Sequence, residues 1–230
     1  MKKVVIITGA GRRLGKAFAI GLSRLGYRVV ATGTDQAELD DVAKRLEGDY
    51  MTKICDITSV SDCEALVADV KEKYGTVDVL VNNAGIYMDT SFTATPTDKL
   101  KAVMNVVVTG TAIMSREVLV RMQEQQSGHI VSILDAEVRT GLPPYDETKP
   151  YSVDYGAKIA KARFTDAIRR EAASYGVDVT SFYMHWVASE IDIDDETQAP
   201  AGATHPRDAV KLMSDVIENQ PKEVDLPPSS

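Results

Sequence analysis

The segment Thr8-Gly9-Ala10-Gly11-Arg12-Arg13-Leu14-Gly15 follows an apolar run, Val4 to Ile7, and leads into a stretch with helical spacing. A strand that turns through glycines into a helix is a setting in which a pyrophosphate can be bound. Glycine admits the tight turn, backbone N–H groups approach the phosphate, and the helix N-terminus favours its negative charge. Arg12 and Arg13 add two cations at that helix start. A glycine-rich turn alone also fits an ordinary strand–helix connection.

A second group of residues could move protons. Lys158 lies in a helical pattern, with Tyr155 three and Tyr151 seven residues before it, spacings that keep side chains on roughly one helix face. Asp154, four residues before, shares that face. Asp135 follows the apolar run Ile130–Leu134. A carboxyl group there works as an acid only if desolvation raises its pKa; otherwise it caps the next turn. His185 follows the run Val177–Tyr183 and is either an acid–base group or a structural histidine. Two cysteines, Cys55 and Cys63, are too few for a disulfide framework or a metal cluster, so both read as reduced thiols and no metal site is expected.

The elements that must position these residues follow from the apolar pattern. Val4–Ile7, Val29–Thr32, Val77–Val81, Ile130–Leu134 and Val177–Tyr183 are continuous rather than alternating, as buried parallel strands are. Helical spacing covers Leu14 to Leu25, Ser61–Tyr74, Thr97–Gln123, Asp154–Ser174 and Arg207–Glu218. Gly26, Gly75, Gly128 and Gly176 stand where helix C-caps are expected. The alternation predicts an α/β, doubly wound parallel sheet with helices on both faces. At 230 residues the chain suits one domain, residues 1–230. Two segments break the regularity, a rim loop at about 136–150 with Pro143, Pro144 and Pro150, and a substrate-side loop at about 190–206. Loops after strand carboxyl ends border the ligand crevice in such sheets.

The net charge of −8 argues against general nucleic-acid or anionic-membrane binding, which needs basic faces. The run after Met1-Lys2-Lys3 is too short for a signal-peptide core, and no stretch approaches a membrane span, so a cytoplasmic protein is expected. The polar tail Asp225 to Ser230 is expected to fray.

Several motifs, in order, resemble the short-chain dehydrogenase/reductase family from end to end. Thr8, Gly9 and Gly15 match its Thr-Gly-x-x-x-Gly-x-Gly, with Arg13 at the middle glycine. Cys55-Asp56-Ile57 follows the third strand, and Asn82-Asn83-Ala84-Gly85 matches the family's tetrapeptide after the fourth. The resemblance implies a Rossmann-type domain with a nicotinamide dinucleotide on Gly9, Gly11, Arg12, Arg13, Leu14 and Gly15. Asp56 would lie near the adenine, and Asn83, Ala84 and Gly85 would line the crevice. Arg13, and an aspartate at position 135, are also similar to the pteridine reductase branch. NAD users place an acid at the end of the second strand; here that position is Gly33. Arg12 is a base at a position favoured by NADP users, and Thr32 and Thr34 could hydrogen-bond a phosphate. Asp35 is either a ribose acceptor or a helix N-terminal residue. The balance predicts NADP(H), with NAD(H) as the alternative.

The family's reaction uses a tyrosine as proton donor, a lysine that tunes it and holds ribose, a serine and an asparagine. Lys158 fits the lysine; the tyrosine position is Asp154, so Tyr155 is the substitute phenol expected. The serine position holds Asp135, the asparagine position Val107. Asn105, two residues earlier, would serve only if the helix is kinked or bulged. Met184-His185 replaces the family's Pro-Gly, and Ser189 stands at the threonine that touches the carboxamide. The expected activity is NADP(H)-dependent reduction of a small carbonyl or imine by Tyr155, Lys158 and Asp135. One alternative is a dinucleotide-binding sensor or partner subunit with little turnover; another is a non-redox enzyme using Asp154 or Asp135 as base. By resemblance the two long helices pair into a homodimer or homotetramer.

Overall fold

In the computed structural model the apolar runs become neighbouring strands of one parallel sheet; the structure describes residues 2–139 and 151–226. The strands are β1 (Val4–Thr8), β2 (Arg28–Gly33), β3 (Tyr50–Ile54), β4 (Val79–Asn82), β5 (Gly128–Asp135), β6 (Val177–Met184) and β7 (Glu223–Leu226). Their order is β3-β2-β1-β4-β5-β6-β7, and every pairing is parallel. The helices are α1 (Arg13–Arg24), α2 (Gln36–Ala43), α3 (Val60–Tyr74), α4 (Thr97–Met104), α5 (Thr111–Gln125), α6 (Ser152–Ala172) and α7 (Pro206–Asn219).

Strand side chains alternate between two cores. Val5 and Ile7 join Phe18, Leu22, Met213 and Ile217 on the α1–α7 face, while Val4 and Ile6 join Leu66, Met114 and Val118 on the α3–α5 face. All eleven are fully buried. Burying a side chain such as Leu or Phe contributes about 1.5–3 kcal/mol, which is why both faces of these strands are apolar.

Three expectations need correction. Gly128 does not cap α5: Gln126 takes the left-handed position at φ 54°, and Gly128 opens β5, where a Cβ would come within 2.4 Å of Met122. The tail does not fray from Asp225, because Glu223–Leu226 adds β7 beside β6. The stretch 97–125 does reach spanning length and apolarity, yet it docks on the sheet through Met114, Val118 and Met122. The rim loop begins as a short 3₁₀ turn, Ala136–Val138, and Pro143, Pro144 and Pro150 lie outside the described residues. The substrate-side segment is pinned across to the α1–α2 side, where Asp192 accepts from Arg45 at 2.6 Å and Asp194 pairs with Arg24.

Candidate active site

The strand order reverses between β1 and β4, the point at which the carboxyl ends of an open parallel sheet leave a crevice. A cleft of about 910 Å³ lies there. The loops after β1 and β4 are sewn together across it. Thr8 Oγ1 accepts the backbone N–H of Asn83 and of Ala84, each at 3.0 Å, and Asn83 Nδ2 donates to the carbonyls of Thr8 at 2.9 Å and Gly9 at 3.2 Å. Gly9 adopts φ 64°, and a Cβ on it would meet the Ala84 backbone at 2.9 Å; one on Gly15 would lie 2.0 Å from the Gly9 carbonyl. Only glycine fits either place. The resulting cradle at the head of α1 suits a pyrophosphate. Gly9, Gly11, Arg12, Arg13, Leu14, Gly15, Asn83, Ala84 and Gly85 all line the cleft. Arg13 pays for its cation with a left-handed backbone, φ 49°, where the family has glycine.

Thr34 and Asp56 line the same cleft. Thr32 does not face a phosphate: it is buried and its hydroxyl donates to the Lys53 carbonyl at 2.8 Å. Asp35 serves as the N-cap of α2, accepting from the Glu38 N–H at 3.0 Å. Glu38 went unread in the sequence, although Asp35 and Glu38 have capping-box spacing. Its carboxylate lies against Gly11, where a Cβ would be 2.8 Å from Oε2.

At the other end, Lys158 and Asp135 are brought together and both line the cleft. Lys158 Nζ lies 2.8 Å from Asp135 Oδ2 and 2.6 Å from Asp154 Oδ2. Asp154, 1 % exposed, is thus a buried partner of the lysine. Burial pushes its carboxyl pKa up, against the pull of Lys158. Burial alone would lower the Lys158 pKa, but the two carboxylates outweigh it and raise it.

Tyr155 is not brought over the lysine. Its hydroxyl donates to Glu137 Oε2 at 2.6 Å, outside the cleft lining, and burial together with that carboxylate raises its pKa. The reason is the helix start: α6 begins at Ser152, so residue 154 faces inward and residue 155 turns toward the rim. The phenol that does line the cleft is Tyr87, whose ring centroid lies 5.9 Å from Lys158 Nζ and 5.6 Å from the Tyr151 ring. It stands two residues past Gly85, a signal available in the sequence.

The bulge needed to recruit Asn105 exists, because 105–110 form a π-helical turn. Even so, Asn105 is exposed, and Val106 and Val107 line the cleft instead. His185 and Ser189 line it as well; His185 is exposed rather than buried. Lys161, one turn beyond Lys158, is a further lining residue missed by sequence reasoning. Cys55 and Cys63 are free and buried, and no group of three or more metal-ligating side chains occurs among the described residues.

Comparison with known proteins agrees with this geometry. Residues 3–199 match the family model for short chain dehydrogenase. The chain belongs to that family. An uncharacterized oxidoreductase of Staphylococcus saprophyticus is 33 % identical over 183 residues, 78 % of this chain and 76 % of its relative. Among solved structures, an actinorhodin polyketide ketoreductase with NADPH superposes with a TM-score of 0.84 at 24 % identity, covering 99 % of this chain and 96 % of its own. An alcohol dehydrogenase from Thermococcus sibiricus, complexed with 5-hydroxy-NADP, gives 0.84 at 19 % identity, covering 99 % and 97 %. This short-chain dehydrogenase therefore keeps the family's cradle. At the other end of the cleft it carries an Asp135–Lys158–Asp154 cluster.

Proposed function

We propose that this short-chain dehydrogenase binds NADP(H) and reduces a small carbonyl or imine, with Lys158 as the group that delivers the proton. The observation that carries the reading is the Lys158 ammonium held in the cleft between Asp135 and Asp154 at 2.8 and 2.6 Å. The nicotinamide, when bound, supplies or accepts the hydride. The protein's own residues do the rest. Gly9, Gly15 and the head of α1 hold the pyrophosphate, Arg12 and Arg13 add positive charge, and Ser189 borders the cleft. Lys158 gives a proton to the substrate oxygen or nitrogen as negative charge develops there, and Asp154, 2.6 Å from the amine, lies within reach to pass one back to it. Asp135 orients the ammonium from the cleft side.

Support for NADP(H) comes from Gly33, from Arg12 and Arg13 without an ion-pair partner among the described residues, and from Asp35 being spent on the α2 cap. The NADP-type cofactors of the two solved relatives point the same way. Glu38 beside Gly11 is the feature favouring NAD(H). A second reading is a dinucleotide-binding sensor or partner subunit with little turnover. It is favoured by the Tyr155 hydroxyl, which points to Glu137 outside the cleft lining. Under either reading we expect a cytoplasmic homodimer or homotetramer acting on a small molecule, without nucleic-acid or membrane partners.

The deciding experiment is a titration with NADPH and NADH, followed by turnover on ketones, aldehydes and cyclic imines, for the parent and Lys158→Met. Binding with turnover that Lys158→Met abolishes supports the first reading. Tight binding with no turnover on any substrate supports the second.

A further inference from the structure

Lys161 has a place in the cleft that the cluster around Lys158 leaves unexplained. It is 5 % exposed and still borders the cleft. Its Nζ donates to the Asn82 carbonyl at 3.1 Å, at the carboxyl end of β4. Around it, α6 offers the cation Lys158, which is paired with Asp154; β4 offers Asn82, whose amide is tied to Ser115 of α5 at 2.8 Å; and on β5 Asp135 is paired with Lys158. Among the described residues no carboxylate pairs with Lys161, because Lys158 takes both Asp135 and Asp154. Lysine is almost never buried without a partner, since an apolar side chain would pack there at lower cost. An ammonium has three donors, and the Asn82 carbonyl accounts for one.

We propose that Lys161 is a second cofactor-binding lysine, whose remaining donors reach from the cleft floor to the hydroxyl oxygens of a ribose of the bound dinucleotide. This rests on the cofactor reading above. The usual ribose-holding lysine, Lys158, is already engaged by two carboxylates, so the second amine supplies the donors that remain free. Burial, with Lys158 nearby, lowers the Lys161 pKa to about 8. A polyanionic dinucleotide with hydroxyl acceptors favours the charged amine, so binding draws a proton onto Lys161. The Lys158 amine, with its pKa raised, stays charged through the same range.

The test is isothermal titration calorimetry of NADPH and NADH from pH 7 to 9.5, in pairs of buffers with different ionisation heats. The proteins are the parent, Lys161→Met and Lys161→Arg, each checked for folding by circular dichroism. The parent is expected to take up a proton above pH 8 and to bind about tenfold more weakly at pH 9.5 than at pH 7.5. Lys161→Met should bind at least about tenfold more weakly at pH 7 and lose the proton uptake. Lys161→Arg, permanently charged, should bind with no pH dependence in this window. A parent that binds, with Lys161→Met or Lys161→Arg showing the same affinity and proton count, overturns the role of Lys161 alone. A parent that binds neither dinucleotide overturns it together with the cofactor reading.

Discussion

Asp154 and Lys158, one turn apart on α6, meet at 2.6 Å. A buried carboxyl whose pKa is raised by desolvation differs from a phenol in its pH response. The Asp154 pKa is raised in the folded protein, so the unfolded chain binds fewer protons than the folded one just above pH 4. The stabilisation is therefore full below the unfolded carboxyl pKa and is lost as pH rises through the folded value. Asp154→Asn removes this dependence. Chemical denaturation at several pH values is expected to show the parent gaining stability relative to Asp154→Asn as pH falls from 7 toward 4. The asparagine variant should also lose about 10²-fold or more in turnover, as removal of an acid–base group does. Equal pH profiles for the two proteins would remove Asp154 from the proton path.

Tyr155 presents the opposite case, a residue of the right type in the wrong place. With its hydroxyl on Glu137 at 2.6 Å, it is expected to matter little to chemistry. Tyr155→Phe should keep turnover within about twofold, whereas Lys158→Met should cost about 10²-fold or more. Steady-state kinetics on one accepted substrate decides it. A Tyr155→Phe loss comparable to that of Lys158→Met would mean that the phenol swings inward during the reaction.

The difference between those two residues marks how far the chain could be read without coordinates. The parallel sheet and the cradle were legible because they rest on continuous apolar runs and on glycines with local signatures: Gly9 and Gly15 are dictated by contacts of less than 3 Å. The loops after β1 and β4 followed from Thr8 and Asn83 for the same reason. The catalytic end depended on rotation about α6, and a one-residue ambiguity there exchanges an inward Asp154 for a rimward Tyr155. The π-turn at 105–110 was foreseeable as a condition but not in its outcome, since its register presents Val106 and Val107. β7 and α2 were missed because Glu223–Leu226 is short and half acidic and because Gln36–Ala43 buries only Leu39 and Val42.

Arg13 stores strain that can be measured. A non-glycine residue in the left-handed region costs about 1–2 kcal/mol, and replacing it with glycine returns about 0.4–1 kcal/mol of that through the freer unfolded chain. Arg13→Gly is thus expected to stabilise the protein by about 0.5–1 kcal/mol, a Tm rise of about 2 °C for a chain of this size. The same change removes a cation from the cradle and should weaken dinucleotide binding several-fold. Thermal melts and titrations on one preparation test both effects. A lower Tm would show that the arginine side chain contributes more than its backbone costs.

A pH-sensitive group in the scaffold lies away from the cleft. His129 of β5 is fully buried, its Nε2 2.8 Å from Thr180 Oγ1, and burial lowers its pKa to about 4 from an unfolded value near 6.5. A depressed folded pKa means that the unfolded chain takes up the proton first as pH falls. The stabilisation is present above about pH 6.5 and is lost progressively down to about pH 4, amounting to about 3 kcal/mol across the window. His129→Gln keeps a polar group near Thr180 and cannot titrate. Urea denaturation at pH 7 and at pH 4.5 should therefore show a smaller loss of stability for His129→Gln than for the parent, by about 2–3 kcal/mol. The scaffold's acid sensitivity would have to arise elsewhere if the two proteins lost stability in parallel.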